Sequence, residues 1–189
     1  VEEGGVMITK VNGKQERFSL NKLKKSITYL VRGYEKEINL DQIVNQVKFE
    51  VYEGMTTSDI RKALVMTVRS MIEQDTAYSY LASRMVLAQI DEDLLNGDIN
   101  FSKLDEQYRE CFIKGINFGV EKGYFDQRMK NFDLEKLSTI IKRERDELFL
   151  YLGSQTLYER YLVRDVEGTG KIIENIQGFW MRIAMGVAL

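Results

Sequence analysis

Apolar residues recur at helical spacing along most of the chain, and turn residues separate the periodic stretches. Between residues 20 and 95 this pattern predicts four amphipathic helices, which begin after capping residues such as Ser19 and Asn39. Ahead of them, Asn12-Gly13 joins two short alternating segments, and this dipeptide is typical of a type I′ turn. The first 95 residues therefore predict a β-hairpin on a four-helix bundle.

The rest of the chain predicts a second, mainly helical region with a small β-hairpin. Its predicted segments are helices near residues 103–122, 134–141 and 145–158, and strands at residues 161–164 and 171–174. A turn-rich acidic stretch, residues 91–100, separates the regions, so we expect two domains, residues 1–95 and residues 96–189. The last helix, residues 179–189, is almost entirely apolar and predicts a surface that further protein covers. Together with the initial valine, this helix favours a fragment or a processed product.

Composition narrows the classes of function. The net charge of −2 disfavours a dedicated binder of nucleic acid or of membrane surfaces. The chain has no histidine and one cysteine, Cys111, which excludes serine triads, Cys–His dyads, histidine-ligated metals, internal disulfides and cysteine-based zinc sites. No apolar run reaches the ~18 residues of a membrane span, and the acidic start is no signal peptide. Composition therefore leans away from a self-contained enzyme.

Three features invite a catalytic interpretation, and for each we prefer a structural one. Residues 168–171 (GTGK) lack the upstream glycine and the following Ser or Thr of a phosphate-binding loop, so they predict a turn. Residues 144–147 (ERDE) predict a helix start, where acidic side chains favour the macrodipole. Cys111 predicts a small, partly buried apolar residue instead of a nucleophile.

The first 36 residues are the most promising place for a ligand. They hold eight basic residues against four acidic ones in a chain whose total charge is negative. A basic surface beside a helix N-terminus suits an anion such as a triphosphate. The alternative is a solvated helix face with extended lysine side chains.

Three segments in the first half resemble the ATP-cone family, a nucleotide-sensing domain built as a small β-hairpin lid on four helices. They are IxKxNGxxExFSxxKL at residues 8–23, EGMTTSDI at residues 53–60 and YxYLAxR at residues 78–84. In the second half, four segments are similar to the start of the catalytic chain of class I ribonucleotide reductase. They are RERD at 143–146, YLG at 151–153, QTLYxRY at 155–161 and FWMRIAMG at 179–186.

The two resemblances, in this order, imply the N-terminal part of a class I ribonucleotide reductase large subunit. The implied fold is mainly α, an ATP-cone followed by a helical region, and it ends before the ten-stranded barrel. The family reduces ribonucleotides with cysteines of that barrel, and Cys111 matches none of them. The resemblance thus implies that this chain has no catalytic residue and is inactive alone, although the parent protein is an enzyme. It also implies a cytoplasmic location.

The resemblance further implies a site for ATP as activator and dATP as inhibitor, with Mg²⁺ accompanying the nucleotide. Glu16 and Ser19 would meet the adenine, and Lys10 and Lys22 the phosphates, with Thr57 beside them at a helix N-terminus. The other candidates are Ile8 and Leu23, which would pack the nucleotide, Val11, where the family often has a basic residue, and Arg61. The run QIDED at residues 89–93 would repel a triphosphate, and Arg61 would compensate for it.

The implied partners are the remainder of the large subunit, with its catalytic barrel, and the radical-generating small subunit, in an oligomer. Neither nucleic acid nor a membrane is expected. Two alternatives remain open. One is a degenerate cone that acts only as a protein–protein assembly module, which the acidic run favours. The other is a free-standing nucleotide-sensing regulator, but the known kind resembles a zinc ribbon plus a cone, and this sequence lacks zinc ligands.

Overall fold

Helices make up 61% of the structure, which confirms the predicted mainly α fold. The structure is a computed structural model, and it describes residues 5–10 and 13–189. Two compact units divide the chain, one extending to Met85 and the other covering Val86–Leu189. Among the described residues, no helix combines the length and apolarity needed to cross a membrane.

The first unit begins with the predicted hairpin. Strand β1 (Met7–Thr9) pairs antiparallel with β2 (Gln15–Arg17), so that Ile8 lies opposite Glu16. The predicted two-residue turn is wrong, because it would pair Ile8 with Arg17. The Lys10 N–H donates to the Lys14 carbonyl at 2.8 Å, so residues 11–13 connect the strands. Gly13 has a φ of +77°, a conformation that glycine adopts without strain. Its neighbours Val11 and Asn12 lie outside the described residues.

Four helices follow, as predicted. They are α1 (Leu20–Thr28), α2 (Leu40–Lys48), α3 (Thr57–Ser70) and α4 (Ala77–Leu95), and the second unit begins within α4. The side chains of Ser19, Asn39 and Thr56 each accept a hydrogen bond from the backbone N–H three residues on, which satisfies donors that the first turn leaves unpaired. The core of this unit includes Ile43 and Leu81, both fully buried.

The YxYLAxR segment has a structural role in this unit. The Tyr78 hydroxyl accepts a hydrogen bond from the Asn39 N–H at 3.2 Å. The Arg84 guanidinium donates to the carbonyls of Leu30 and Arg32, both at 2.7 Å, and lies over the ring of Tyr34. A 3₁₀ turn, Tyr29–Val31, follows α1 directly. The two bonds from Arg84 satisfy carbonyls at its end, which have no partner within the helix.

The second unit is built on α5, which matches the predicted helix closely. Its elements after α4 are α5 (Leu104–Glu121), a 3₁₀ turn (Gln127–Asn131), α6 (Leu134–Ser138), a 3₁₀ turn (Arg143–Leu148), α7 (Tyr151–Thr156), a π turn (Leu157–Tyr161) and α8 (Ile176–Val187). Tyr108 and Phe112 of α5 belong to a buried apolar cluster with Met185 of α8. Gly115 permits close packing on α5, because a Cβ there would lie 2.3 Å from the Ile173 carbonyl oxygen.

The predicted long helix at residues 145–158 is wrong. The chain forms the 3₁₀ turn Arg143–Leu148, leaves helical geometry at Phe149 and Leu150, and then begins α7. Asp146 explains the difference, because its carboxylate is drawn into the interior by the Tyr108 hydroxyl and the Gln177 side chain. The sequence predicted that the acidic stretch would favour a helix macrodipole, and this prediction is also wrong.

The predicted second hairpin is reduced to one antiparallel bridge, between Arg164 and Ile172. Two carboxylates accept hydrogen bonds from backbone N–H groups in this segment, in place of further pairing between strands. The Asp165 carboxylate accepts from the Thr169 N–H at 2.9 Å, and the Glu174 carboxylate accepts from the Val163 N–H at 3.0 Å. The turn predicted for residues 168–171 is confirmed, since the Asp165 N–H donates to the Lys171 carbonyl across it.

Candidate functional site

Three of the predicted site residues meet at the hairpin. The Glu16 carboxylate accepts the Lys10 ammonium at 2.9 Å and the Lys22 ammonium at 3.1 Å, and both reach the same oxygen, Oε2. These two contacts hold the pKa of Glu16 below its usual value, with the hydrogen bond from Lys10 the larger cause. The hairpin and α1 thus bring two cations to one point on the surface.

Backbone hydrogen bonds attach this hairpin to the start of α3. The Thr9 N–H donates to the Met55 carbonyl at 3.0 Å, and Thr9 forms a parallel bridge with Thr56. The next residue along each of these two segments is a site candidate, Lys10 on one and Thr57 on the other. In a parallel pairing, this register brings the backbone of Lys10 toward Thr57, the first residue of α3.

An acidic side chain, Asp59, already lies in the first turn of α3. The Thr56 hydroxyl accepts from the Asp59 N–H at 3.1 Å and donates to the Asp59 carboxylate at 2.7 Å. The pKa of Asp59 lies below its usual value, first because of the Thr56 hydrogen bond and then because of Lys62. Since Asp59 offsets the positive end of the helix, the attraction for a further anion at this place comes mainly from the lysines.

The other predicted residues occupy different positions. Ser19 caps α1, and its hydroxyl accepts from the Lys22 N–H at 3.4 Å. Ile8 and Leu23 are buried in the core, where they support the hairpin and α1 from beneath. Arg61 is exposed one turn into α3. Val11, as noted, lies outside the described residues.

The acidic run at residues 89–93 is engaged within the second unit. The Asp91 carboxylate accepts two hydrogen bonds from the Arg143 guanidinium, at 2.7 and 3.1 Å. Asp93 accepts from the Tyr158 hydroxyl and from the Gln89 amide, both at 2.8 Å. The run therefore presents less uncompensated negative charge than the sequence indicates, and its support for a degenerate cone is correspondingly weaker.

A buried polar network in the second unit has no equivalent among the sequence predictions. Asn175 caps α8 by accepting from the Gly178 N–H at 2.7 Å, and its amide donates to the Tyr108 carbonyl at 2.7 Å. The Tyr108 hydroxyl in turn donates to Asp146, whose other oxygen accepts from Gln177 at 2.9 Å. Burial raises the pKa of Asp146 to about 6. The network ties α5, the 3₁₀ turn and α8 together.

Cys111 is buried on α5, which confirms the prediction of a small apolar residue. Burial raises the pKa of its thiol to about 11, so little reactive thiolate is present at neutral pH. We expect the folded chain to react with a thiol reagent far more slowly than the urea-unfolded chain, by at least about tenfold. Absorbance after addition of an aromatic disulfide reagent measures both rates. Equal rates would contradict this burial.

One face of α8 is exposed and apolar. Trp180, Ile183 and Val187 follow helical spacing along it, and each is more than a third exposed. Arg182, the helix's one basic residue, lies off this face and forms an ion pair with Glu174 at 2.7 Å. A face of this kind is typical of a surface that another protein covers, which agrees with the expectation from the sequence.

Two family models match different parts of the chain. Residues 6–93 match the ATP cone domain, and residues 147–189 match the all-alpha domain of ribonucleotide reductase. The first match includes the hairpin and the lysine–glutamate cluster, and the second includes α7 and α8.

Curated relatives match along nearly the whole chain. The ribonucleoside-diphosphate reductase subunit alpha of Chlamydia pneumoniae is 26% identical over 188 residues, and that of Helicobacter pylori strain 26695 is 30% identical over 184. Ribonucleoside-diphosphate reductase 1 subunit alpha of Escherichia coli is 23% identical over 180 residues. These alignments cover 100%, 97% and 95% of this chain, but only 18%, 22% and 23% of the respective relatives. The chain therefore spans less than a quarter of their length.

Proposed function

We propose that this chain, the N-terminal, regulatory portion of a ribonucleotide reductase alpha subunit, binds ATP or dATP at the hairpin to control reduction of ribonucleotides. It is an ATP cone followed by all-alpha sequence. The convergence of Lys10 and Lys22 on one carboxylate oxygen carries the proposal. Two ammonium groups held this close together supply the charge that a triphosphate needs.

We propose the following roles for the surrounding residues, in line with the family resemblance. Lys10 and Lys22 take the phosphates, and Thr57, beside Lys10, adds the backbone at the start of α3. Glu16 and Ser19 supply acceptors for the exocyclic amine of adenine. Ile8 and Leu23 support these side chains from the core, and Arg61 contributes positive charge one turn into α3.

Mg²⁺ enters this proposal only with the nucleotide. Among the described residues, no group of three or more carboxylate or cysteine side chains is placed to hold a metal ion. The ammonium groups of Lys10 and Lys22 fit phosphate oxygens but cannot bind Mg²⁺, which requires oxygen ligands. The phosphates themselves would therefore hold the ion, and its charge would reduce the repulsion between them.

Calorimetric titration of ATP and dATP into the chain tests the proposal. We expect binding that Lys10→Ala or Lys22→Ala weakens about 10- to 100-fold, because each substitution removes a charge-assisted hydrogen bond to phosphate. Lys36→Ala is the matched control, since Lys36 is exposed beyond the far end of α1 and its loss should leave affinity within about twofold. Absence of binding to the unaltered chain, or equal affinity in all three variants, would refute the proposal.

The proposed partners are the remainder of the alpha subunit and the radical-generating small subunit, within an oligomer in the cytoplasm. The exposed apolar face of α8 is the surface we assign to the remainder of the alpha subunit. We propose residues 1–95 as the allosteric domain and residues 96–189 as the helical region that joins it to the catalytic part. Binding of the two effectors with different affinities to different assemblies would shift the population among them.

The alternative of a pure assembly module makes the opposite prediction for nucleotides. Such a module would leave both effectors unbound while α8 still contacted its partner. The free-standing regulator is disfavoured by the match of residues 147–189 to reductase all-alpha sequence.

A further inference from the structure

We propose that Glu16 is a displaceable counterion, which competes with the phosphates of a nucleotide for Lys10 and Lys22. The inference rests on the proposed function, because it concerns how the same site selects its ligand. Glu16 would thereby set a threshold that favours triphosphates over ligands with a single phosphate group. The expectation from the sequence gave Glu16 only a contact to the base.

The hairpin register holds Glu16 where this competition is possible. Glu16 lies opposite Ile8 in the strand pair, and Lys10 is two residues after Ile8, so both charged side chains project from the same face of the hairpin. Lys22 reaches the same carboxylate from the first turn of α1. Side chains from three segments, the end of β1, β2 and α1, thus meet in one cluster of charges.

The shared oxygen makes the competition depend on the number of phosphates. Because both lysine nitrogens lie within 3.1 Å of Glu16 Oε2, one polyphosphate chain can bridge them and replace the carboxylate completely. A single phosphate that takes one lysine leaves the other ammonium on Glu16, and its own charge lies beside the carboxylate. A triphosphate supplies enough negative charge to release both lysines.

The strength of the ion pairs makes displacement reversible. Lys10 and Lys22 have side chains that are 44% and 68% exposed, while that of Glu16 is 25% exposed. Exposed pairs of this type are weak, and two of them together correspond to about a 2- to 30-fold effect on affinity. A ligand therefore overcomes Glu16 readily, and the effect is large enough to measure.

Glu16→Gln tests the inference, with inorganic tripolyphosphate as the probe, because it has the charge of the triphosphate without a base. Calorimetry should show about 2- to 30-fold tighter binding of tripolyphosphate to the variant than to the unaltered chain. Inorganic monophosphate, measured at the same ionic strength, should gain more, because the variant loses the carboxylate that disfavours a single phosphate group. Glu73→Gln is the matched control, because it removes the same charge beyond the C-terminus of α3, about 20 Å along the helix from the hairpin.

The outcomes separate this inference from the proposed function. Unchanged or weaker tripolyphosphate binding to Glu16→Gln, while ATP still binds through Lys10 and Lys22, would overturn the counterion role and leave the nucleotide site intact. A chain that binds no ATP would refute the proposed function, whereas tripolyphosphate would still report whether removal of Glu16 exposes the lysines.

A spectroscopic measurement provides a second readout that needs no substitution. Both lysines lower the pKa of Glu16 in the structure. Tripolyphosphate that takes the lysines should therefore raise the pKa of Glu16, as followed by carboxyl NMR of the full chain. A pKa of Glu16 that stays low in the presence of saturating tripolyphosphate would show that the ion pairs persist, against the inference.

Discussion

Arg143→Ala is expected to destabilise the second unit by about 3–5 kcal/mol, because it leaves the Asp91 carboxylate buried without its counterion. The Asp91 side chain is only 8% exposed and that of Arg143 26% exposed, and two hydrogen bonds join them. Burial alone raises the pKa of Asp91 above its usual value, even with Arg143 beside it. Domains are stable by only about 5–15 kcal/mol, so a loss of this size removes a large fraction of the total.

Urea unfolding followed by labelling of Cys111 measures this loss. The single cysteine reports on the second unit alone, which avoids treating two units as one two-state transition. Arg128→Ala is the matched control, because Arg128 pairs with Asp126 on the surface, with side chains 60% and 42% exposed, and its loss should cost at most about 1 kcal/mol. Similar losses for the two variants would show that the Asp91–Arg143 pair is not effectively buried. Asp91→Asn should recover part of the stability of Arg143→Ala, because it removes the unpaired charge.

The parts of the fold that sequence predicted well depend on local signals. Helix α1 begins after Ser19 and α2 after Asn39, as their capping side chains indicate, and α4 ends at Leu95, where the predicted four-helix stretch ends. A cap acts over three residues and an apolar stripe over a few turns, so both are visible in a short window of sequence. The existence of the hairpin was equally local, but its register was not predicted. A two-residue Asn12-Gly13 turn would pair Ile8 with Arg17, whereas Ile8 lies opposite Glu16.

Two other failures involve partners distant in sequence. Asp146 leaves its helical role because it meets Tyr108, which is 38 residues away, and the Asp91–Arg143 pair joins positions 52 apart. Charged residues on a predicted helix are assigned to solvent by default, and only the packed structure shows which of them are buried. The acidic run 89–93 was therefore interpreted as a free negative surface, although its aspartates have partners in the second unit.

The candidate site likewise has features that the sequence predicts and features that only the folded structure shows. Its positions along the hairpin and α1 were predicted from the resemblance, and the structure brings Lys10, Glu16 and Lys22 together. That one oxygen of Glu16 receives both lysines was not predicted, because the motif gives each residue its own role toward a ligand. Competition among the site's own side chains is visible only when their distances are known.

The second large effect is a pH dependence that Asp146 confers on the second unit. The pKa of Asp146 is raised from 3.8 to about 6 in the folded chain, chiefly by burial, so the folded state binds this proton more tightly than the unfolded state. The resulting stabilisation is fully present below pH 3.8 and is lost as the pH rises through about 6. A shift of this size corresponds to about 3 kcal/mol between pH 4 and pH 7.

Asp146→Asn isolates this contribution, because its amide remains neutral throughout and can still accept the Tyr108 hydroxyl. The difference in unfolding free energy between the unaltered chain and Asp146→Asn should shift by about 3 kcal/mol in favour of the unaltered chain as the pH falls from 7 to 4. Asp126→Asn is a control of opposite sign, because Arg128 lowers the pKa of Asp126 to about 2 and its stabilisation is lost only in stronger acid. Parallel stability curves for the unaltered chain and Asp146→Asn between pH 4 and 7 would show that the Asp146 carboxyl titrates as it does in water. Since Tyr108, Gln177 and Asn175 connect this carboxyl to α5 and α8, its protonation should tighten the second unit as a whole.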